Sequence, residues 1–234
     1  MKKELTIESD GTKSWWLGEK RHREDGPAVE EPDGSKKWFF KGSLHREGGP
    51  AVEFSYVNKW YIKGKPHRED GPAVETTNGT KEWWIKGKRH REGAPALEYS
   101  DGSWEWWVNG KKHREGAPAV QEMDGSKEWW VDGKQHKEDG PAIDQADGRK
   151  EWWVKGSRHR EDGPAIESSD GSKEWFINGK RHREDGPAVE YADGTKYWWL
   201  NDEMLSEQEF NAIQLNKKLL KTLPSNESKK KNKI

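Results

Sequence analysis

All eight histidines of the chain fall on one lattice: His22, His45, His67, His90, His113, His136, His159 and His182. Successive positions are 23 residues apart, except for the 22 residues between His45 and His67. A fixed period of this length means one supersecondary unit repeated along the chain, each copy burying its apolar surface against its neighbours. Each histidine is followed by Arg (Lys137 once), then Glu, then after one residue Gly or Ala, then Pro-Ala. Upstream lie Trp, a second aromatic and an aliphatic residue or Phe. Eight copies and a ninth half-copy span residues 10–203.

Each copy carries two turn signals. Asn109-Gly110, Asp132-Gly133 and Asn178-Gly179 are two-residue hairpin turns, because both positions accept positive φ. A second Asp-Gly or Asn-Gly, as at Asp33-Gly34 or Asn78-Gly79, separates successive copies. Short aromatic and β-branched runs between such turns read as strands. A two-residue loop at Asp132-Gly133 sets Val131 opposite Lys134, Trp130 opposite Gln135 and Trp129 opposite His136. Side chains alternate faces along a strand. One face therefore carries a structural ladder of Trp15, Trp38, Trp60, Trp83, Trp106, Trp129, Trp152, Trp175 and Trp198 with the eight histidines. The second aromatics point the other way. Where the copy is one residue short, between Phe54 and Trp60, the turn is expected to absorb the change, since a slip within the strand would swap its faces.

The motif of Asp101-Gly102, Trp106, Asn109-Gly110-Lys111 and His113, at this period, resembles the MORN-repeat family. The closer resemblance is to the variant with His-Arg-x-x-Gly-Pro-Ala units found in bacteriophage and giant-virus proteins. It implies successive hairpins in an elongated, twisted or curled antiparallel sheet that serves as a protein-interaction or membrane-proximal platform. The expected class is thus all-β, with a capping strand in residues 1–9. A C-terminal amphipathic helix is expected over 204–223, with a Ser206–Glu209 capping box. Phe210, Ile213, Leu219, Leu220 and Leu223 are expected on the last strand, with Pro224 ending the helix. A polar, basic and disordered tail is expected over 224–234.

Composition narrows function. The chain has 42 basic and 43 acidic residues among 234, a balance unlike that of a dedicated nucleic-acid binder. It has no cysteine, so no disulfide or thiolate site. No stretch approaches the ~20 apolar residues of a membrane span, and the N-terminus has no apolar signal core; a cytoplasmic protein is expected, in host cytoplasm if viral. Sixteen tryptophans supply apolar area that a disordered chain would lack, and the first Trp of each copy is expected to form the core. No phosphate-binding loop, nucleophile elbow or zinc-protease motif occurs.

The histidines are the obvious candidates for chemistry. Successive ones would stand ~10 Å apart on such a sheet, too far to share a metal bound at ~2.1 Å. No cofactor is expected. Continuing the hairpin register past each histidine sets the following Arg or Lys opposite Glu82, Glu105, Glu128, Glu151 and Glu174. In the first three copies the same register leaves Arg23, Arg46 and Arg68 opposite Ser14, Lys37 and Lys59, with charge uncompensated. The glutamate after each Arg is expected to accept backbone N–H groups in the turn. The candidate binding surface is therefore those three arginines with the second aromatic row: Trp16, Phe39, Tyr61, Trp84, Trp107, Trp130 and Trp153. The expected function is non-enzymatic, a surface for a protein partner or self-assembly. The alternatives are capture of a small anionic, nucleotide-like ligand or inhibition of a host defence protein, and a metal-assisted enzyme.

Overall fold

The computed structural model describes residues 3–222. The described chain is short antiparallel strands with one C-terminal helix, Glu207–Thr222. It divides into two compact units, Met1–His136 and Lys137–Ile234, each built from the same repeat.

In the first unit a copy has a sheet part and a hairpin part. Lys81–Glu82 lies between two Val-Glu-type strands, with Glu82 paired to Val74 on one side and Leu97 on the other. After Trp83, the strand Trp84–Ile85 folds back on Lys88–Arg89 as a separate hairpin. The register expected from the two-residue loop is the one found. Trp130 pairs with Gln135 and Val131 with Lys134, and the His136 N–H donates to the Trp129 carbonyl at 3.1 Å. Both loop residues are left-handed, as a type I′ turn requires: Asn109 and Gly110 have φ of 52° and 83°. Lys86 takes the same conformation at φ 50° without the tolerance of Asn.

The hairpin register stops at the histidine. Arg68 does not continue opposite Lys59; its N–H donates to the Trp84 carbonyl of the next copy at 3.1 Å. The position opposite Lys59 belongs to Val52 and Val74. The chain leaves the hairpin at His-Arg-Glu, loops, and returns through Pro-Ala to pair its Val-Glu with the sheet. The deletion in the third copy is absorbed as expected, in the turn: Phe54 pairs directly with Val57 across Ser55-Tyr56.

The centre of each copy is the alanine of Pro-Ala. Ala28, Ala51, Ala73, Ala96 and Ala119 in the first unit, and Ala142, Ala165 and Ala188 in the second, have no exposed surface. Backbone explains the choice. The Ala73 N–H donates to Glu82 at 2.7 Å and its carbonyl accepts from Trp60 at 2.8 Å, so a methyl group sits between two closely held strands. The ladder tryptophans, expected as the core, are only half-buried. No strand pairing closes either unit into a barrel among the described residues.

Lys3–Ile7 caps the first unit, paired in register with Lys13–Leu17. In the second unit, Lys150–Glu151, Ile166–Glu167, Lys173–Glu174 and Val189–Glu190 repeat the sheet pattern. The helix packs on Lys196–Leu200 and Glu203–Leu205. Its capping box forms: the Ser206 N–H donates to Glu209 at 2.8 Å, and the Glu209 N–H to the Ser206 hydroxyl at 3.2 Å. Phe210 is buried and Ile213 half-buried, but Leu219 and Leu220 are exposed, against expectation. At 1.5 Å per residue, Leu219 lies about 13 Å beyond Phe210 along the axis. The expected contact of Leu223, the stop at Pro224 and the tail to residue 234 lie outside the described residues.

Candidate functional site

A cation follows every histidine in sequence, and one precedes His22, His90, His113, His159 and His182. The row after the histidine covers the first tryptophans. Arg23, Arg46, Arg68 and Arg91 lie 4.1, 3.8, 4.2 and 3.7 Å over Trp15, Trp38, Trp60 and Trp83. Arg160 and Arg183 repeat this over Trp152 and Trp175. Each guanidinium then spends its donors inside its own loop. Arg68 bonds Asp70 at 2.9 Å, the Pro72 carbonyl at 3.2 Å and Glu75 at 3.0 Å. Arg23 bonds Asp25 at 3.0 Å and Glu30 at 3.2 Å, and Arg46 bonds Glu53 at 2.6 Å. The uncompensated charge expected at Arg23, Arg46 and Arg68 is therefore absent, and the anionic-ligand reading loses the feature it stood on. The signal missed was the glutamate seven residues after each of these arginines, as in Glu30, Glu53 and Glu75. Arg114 has Gln121 at that position and Trp104 as a second ring at 5.4 Å; burial alone pulls its pKa down.

The row before the histidine holds the second aromatics. Arg89 sits 5.0 Å from Trp84 and 5.4 Å from Trp107, and Lys112 bridges Trp107 and Trp130 in the same way. Arg89 also pairs with Glu82 at 3.0 Å, and Glu82 accepts the Trp84 indole N–H at 2.9 Å. Trp107, Trp130 and Trp153 donate likewise to Glu105, Glu128 and Glu151. Four of the glutamates expected opposite the Arg after histidine, Glu82, Glu105, Glu151 and Glu174, thus pair with the cation before it; Gln135 stands there in the copy of Glu128. Burial pushes Glu151 up, but its bond from Arg149 and the charges of Arg158 and Arg149 hold it below the ordinary carboxylate value. Trp16 donates to the Thr6 hydroxyl at 2.9 Å. Trp16, Phe39, Tyr61 and the tryptophans of this row are half-buried; Arg21 lies by Trp16 and Phe39 and Arg158 by Trp153, while Tyr61 pairs with Pro66.

The histidines join one hairpin to the next. Through Nδ1, His22, His45, His67, His90 and His113 accept the backbone N–H of Lys41, Lys63, Lys86, Asn109 and Asp132 at 3.1–3.3 Å. His159 and His182 do the same for Asn178 and Asn201. An accepting Nδ1 places the proton on Nε2. That nitrogen faces the glutamate two residues on, at 3.2 Å for His22–Glu24 and 3.6 Å for His67–Glu69. These glutamates, expected to bind turn amides, stand instead at the loop rim, with side chains 88%, 81% and 92% exposed at Glu47, Glu69 and Glu92. Among the described residues, no three His, Asp or Glu converge as metal ligands.

Between successive loops lies an open groove, the candidate site. One, of about 550 Å³, runs between Arg68, Glu69 and Asp70 of one loop and Trp83, Ile85, His90 and Glu92 of the next copy. The groove one copy earlier has about 560 Å³ and the same lining by position, with Glu47, Trp60, His67 and Glu69. The second unit repeats it at about 550 Å³ with Glu161, Trp175, His182 and Glu184. Each has an aromatic floor and a rim of carboxylates. Away from the grooves, Asp10, Asp33, Asp101, Asp124, Asp170 and Asp193 accept the N–H two residues on. That bond first, and the neighbouring hydroxyl second, hold their carboxyls below the ordinary value.

No helix among the described residues is long and apolar enough to cross a membrane. Comparison with profiles of known protein families gives no match, and comparison with curated proteins gives none.

Proposed function

We propose that the chain is a non-catalytic scaffold, of the kind the MORN-type resemblance implies, that docks a protein partner along its row of inter-loop grooves. The observation that supports this is the recurrence of one groove, with the same residue types at the same positions, from copy to copy. An active site needs one asymmetric constellation of acid, base or nucleophile. A row of equivalent subsites suits a partner that runs along it and gains affinity by engaging several at once. Most of the residues expected from sequence to bind are engaged by the chain's own charged groups, whereas the rim glutamates Glu47, Glu69 and Glu92 are exposed.

Site-specific photo-crosslinking tests the reading. A photoreactive residue placed at Glu69 or Glu92 should give a discrete adduct with a protein from the native source, and the same residue at Asp101 or Asp124 should not. Adducts of equal yield at all four positions, or only at the aspartates, would contradict it.

A further inference from the structure

The C-terminal helix lies against the last loop of the second unit. Lys217 Nζ is 3.0 Å from Glu184 Oε1, and Lys218 and Lys221 line the same cleft with Asp185 and Phe210. Glu184 is accordingly 63% exposed, against 81–92% for Glu47, Glu69, Glu92 and Glu161. The bond from Lys217, then its charge, hold the Glu184 carboxyl below its ordinary value. One acidic rim thus already holds lysine from another element, while Glu47, Glu69 and Glu92 of the first unit stand beside a histidine edge.

Geometry adds a period. Each copy contributes two strands to the sheet, so rims recur about every 9.6 Å, and a chain in the polyproline II conformation rises about 3.1 Å per residue with three residues per turn. Three residues of such a peptide match one copy and return to the same face, whereas a β-strand would turn every third side chain away. An α-helix at 1.5 Å per residue reaches this pitch only between six and seven residues, where consecutive contacts drift around its surface.

We propose that the grooves of the first unit take a lysine- or arginine-rich segment of a partner protein in the polyproline II conformation, one cation per copy, with cations at every third residue. The carboxylates of Glu47, Glu69 and Glu92 receive the cations. The aliphatic stems lie in the grooves beside Ile62 and Ile85, which line them between the loops. The proposal rests on the scaffold reading and names the partner's chemistry.

Calorimetry with synthetic peptides tests it on the full chain. A peptide with lysine at every third position should bind about tenfold more tightly than one of equal length and composition with its lysines contiguous, because only the first engages successive rims together. The triple variant Glu47→Gln, Glu69→Gln, Glu92→Gln should lose about tenfold in affinity for the periodic peptide. These side chains are exposed, and circular dichroism should show the fold unchanged. Equal affinity for the two peptides would reduce the effect to unspecific charge attraction and overturn the proposal. So would undiminished binding by the triple variant, or no binding of either peptide. If the peptides fail while crosslinking at Glu69 and Glu92 still captures a partner, the inferred chemistry falls and the scaffold reading stands.

Discussion

The hairpin side and the loop side of a copy use the same residue types for opposite ends. On the hairpin side, copy is tied to copy. Lys86 donates to His67, Gly87 to the Pro66 carbonyl at 2.8 Å, and Arg68 to the Trp84 carbonyl, while Arg89 lies between the rings of two copies. On the loop side, the Arg91 guanidinium bonds within its own copy, to Pro95 at 3.0 Å and Glu98 at 2.7 Å. One side transmits order along the repeat. The other leaves a gap between neighbours, and the grooves occupy it.

The largest effect that can break this contrast is on the hairpin side. Glu82→Ala removes the acceptor of both Trp84 and Arg89, bonds to a charged group in a half-buried setting. It should cost about 2–3 kcal/mol by urea denaturation. Glu92→Ala on the loop side should stay within about 0.5 kcal/mol. If the two costs were equal, the contrast would be wrong.

Next in size is His90→Ala, which takes the Nδ1 acceptor from Asn109. The turn amide can turn to water, so the expected loss is about 1 kcal/mol. A loss near zero would mean that the histidines do not couple the hairpins.

The turn tips sharpen the contrast in the other sense. Lys86 pays for left-handed backbone that asparagine adopts more easily, so Lys86→Asn should gain about 0.5–1 kcal/mol while keeping the N–H for His67. Measured destabilisation would place the lysine side chain in a role that nothing here assigns it.

Much of the hairpin side was legible in the sequence. Positive-φ dipeptides set the loop length, loop length set the register, and the register put histidine beside the first Trp. The loop side was not legible, because the same register was carried one residue too far. The sequence holds no local mark that the chain leaves the ladder at His. Arg-Glu continues an alternation that a strand could accept, and only the return of Pro-Ala between two strands shows where the chain went. That single residue moved Arg91, Arg160 and Arg183 from the expected cross-strand glutamate to the glutamate seven positions on, and gave Arg23, Arg46 and Arg68 a carboxylate where none was expected. The burial of alanine was missed for a related reason. Side-chain size suggested tryptophan as the core, whereas strand spacing admits only a methyl there.

The smallest expected effect lies in the turns between copies. Their aspartates have folded values below the ordinary 3.8, so they favour the fold above that value and lose the contribution as pH falls through the lower folded one. Carboxyl NMR should show Asp33 and Asp101 titrating below 3.8. Titration at or above it would remove the turn bond.

Residue-resolved amide hydrogen exchange on the first unit tests the central contrast most directly. The turn residues Lys63, Lys86 and Asn109 are exposed, and without a partner their amides would exchange freely. Bonding to the preceding histidine predicts slow exchange at these three and fast exchange at Glu69 and Glu92 in the loops. Fast exchange at the turns, or slower exchange at the loops than at the turns, would contradict the account.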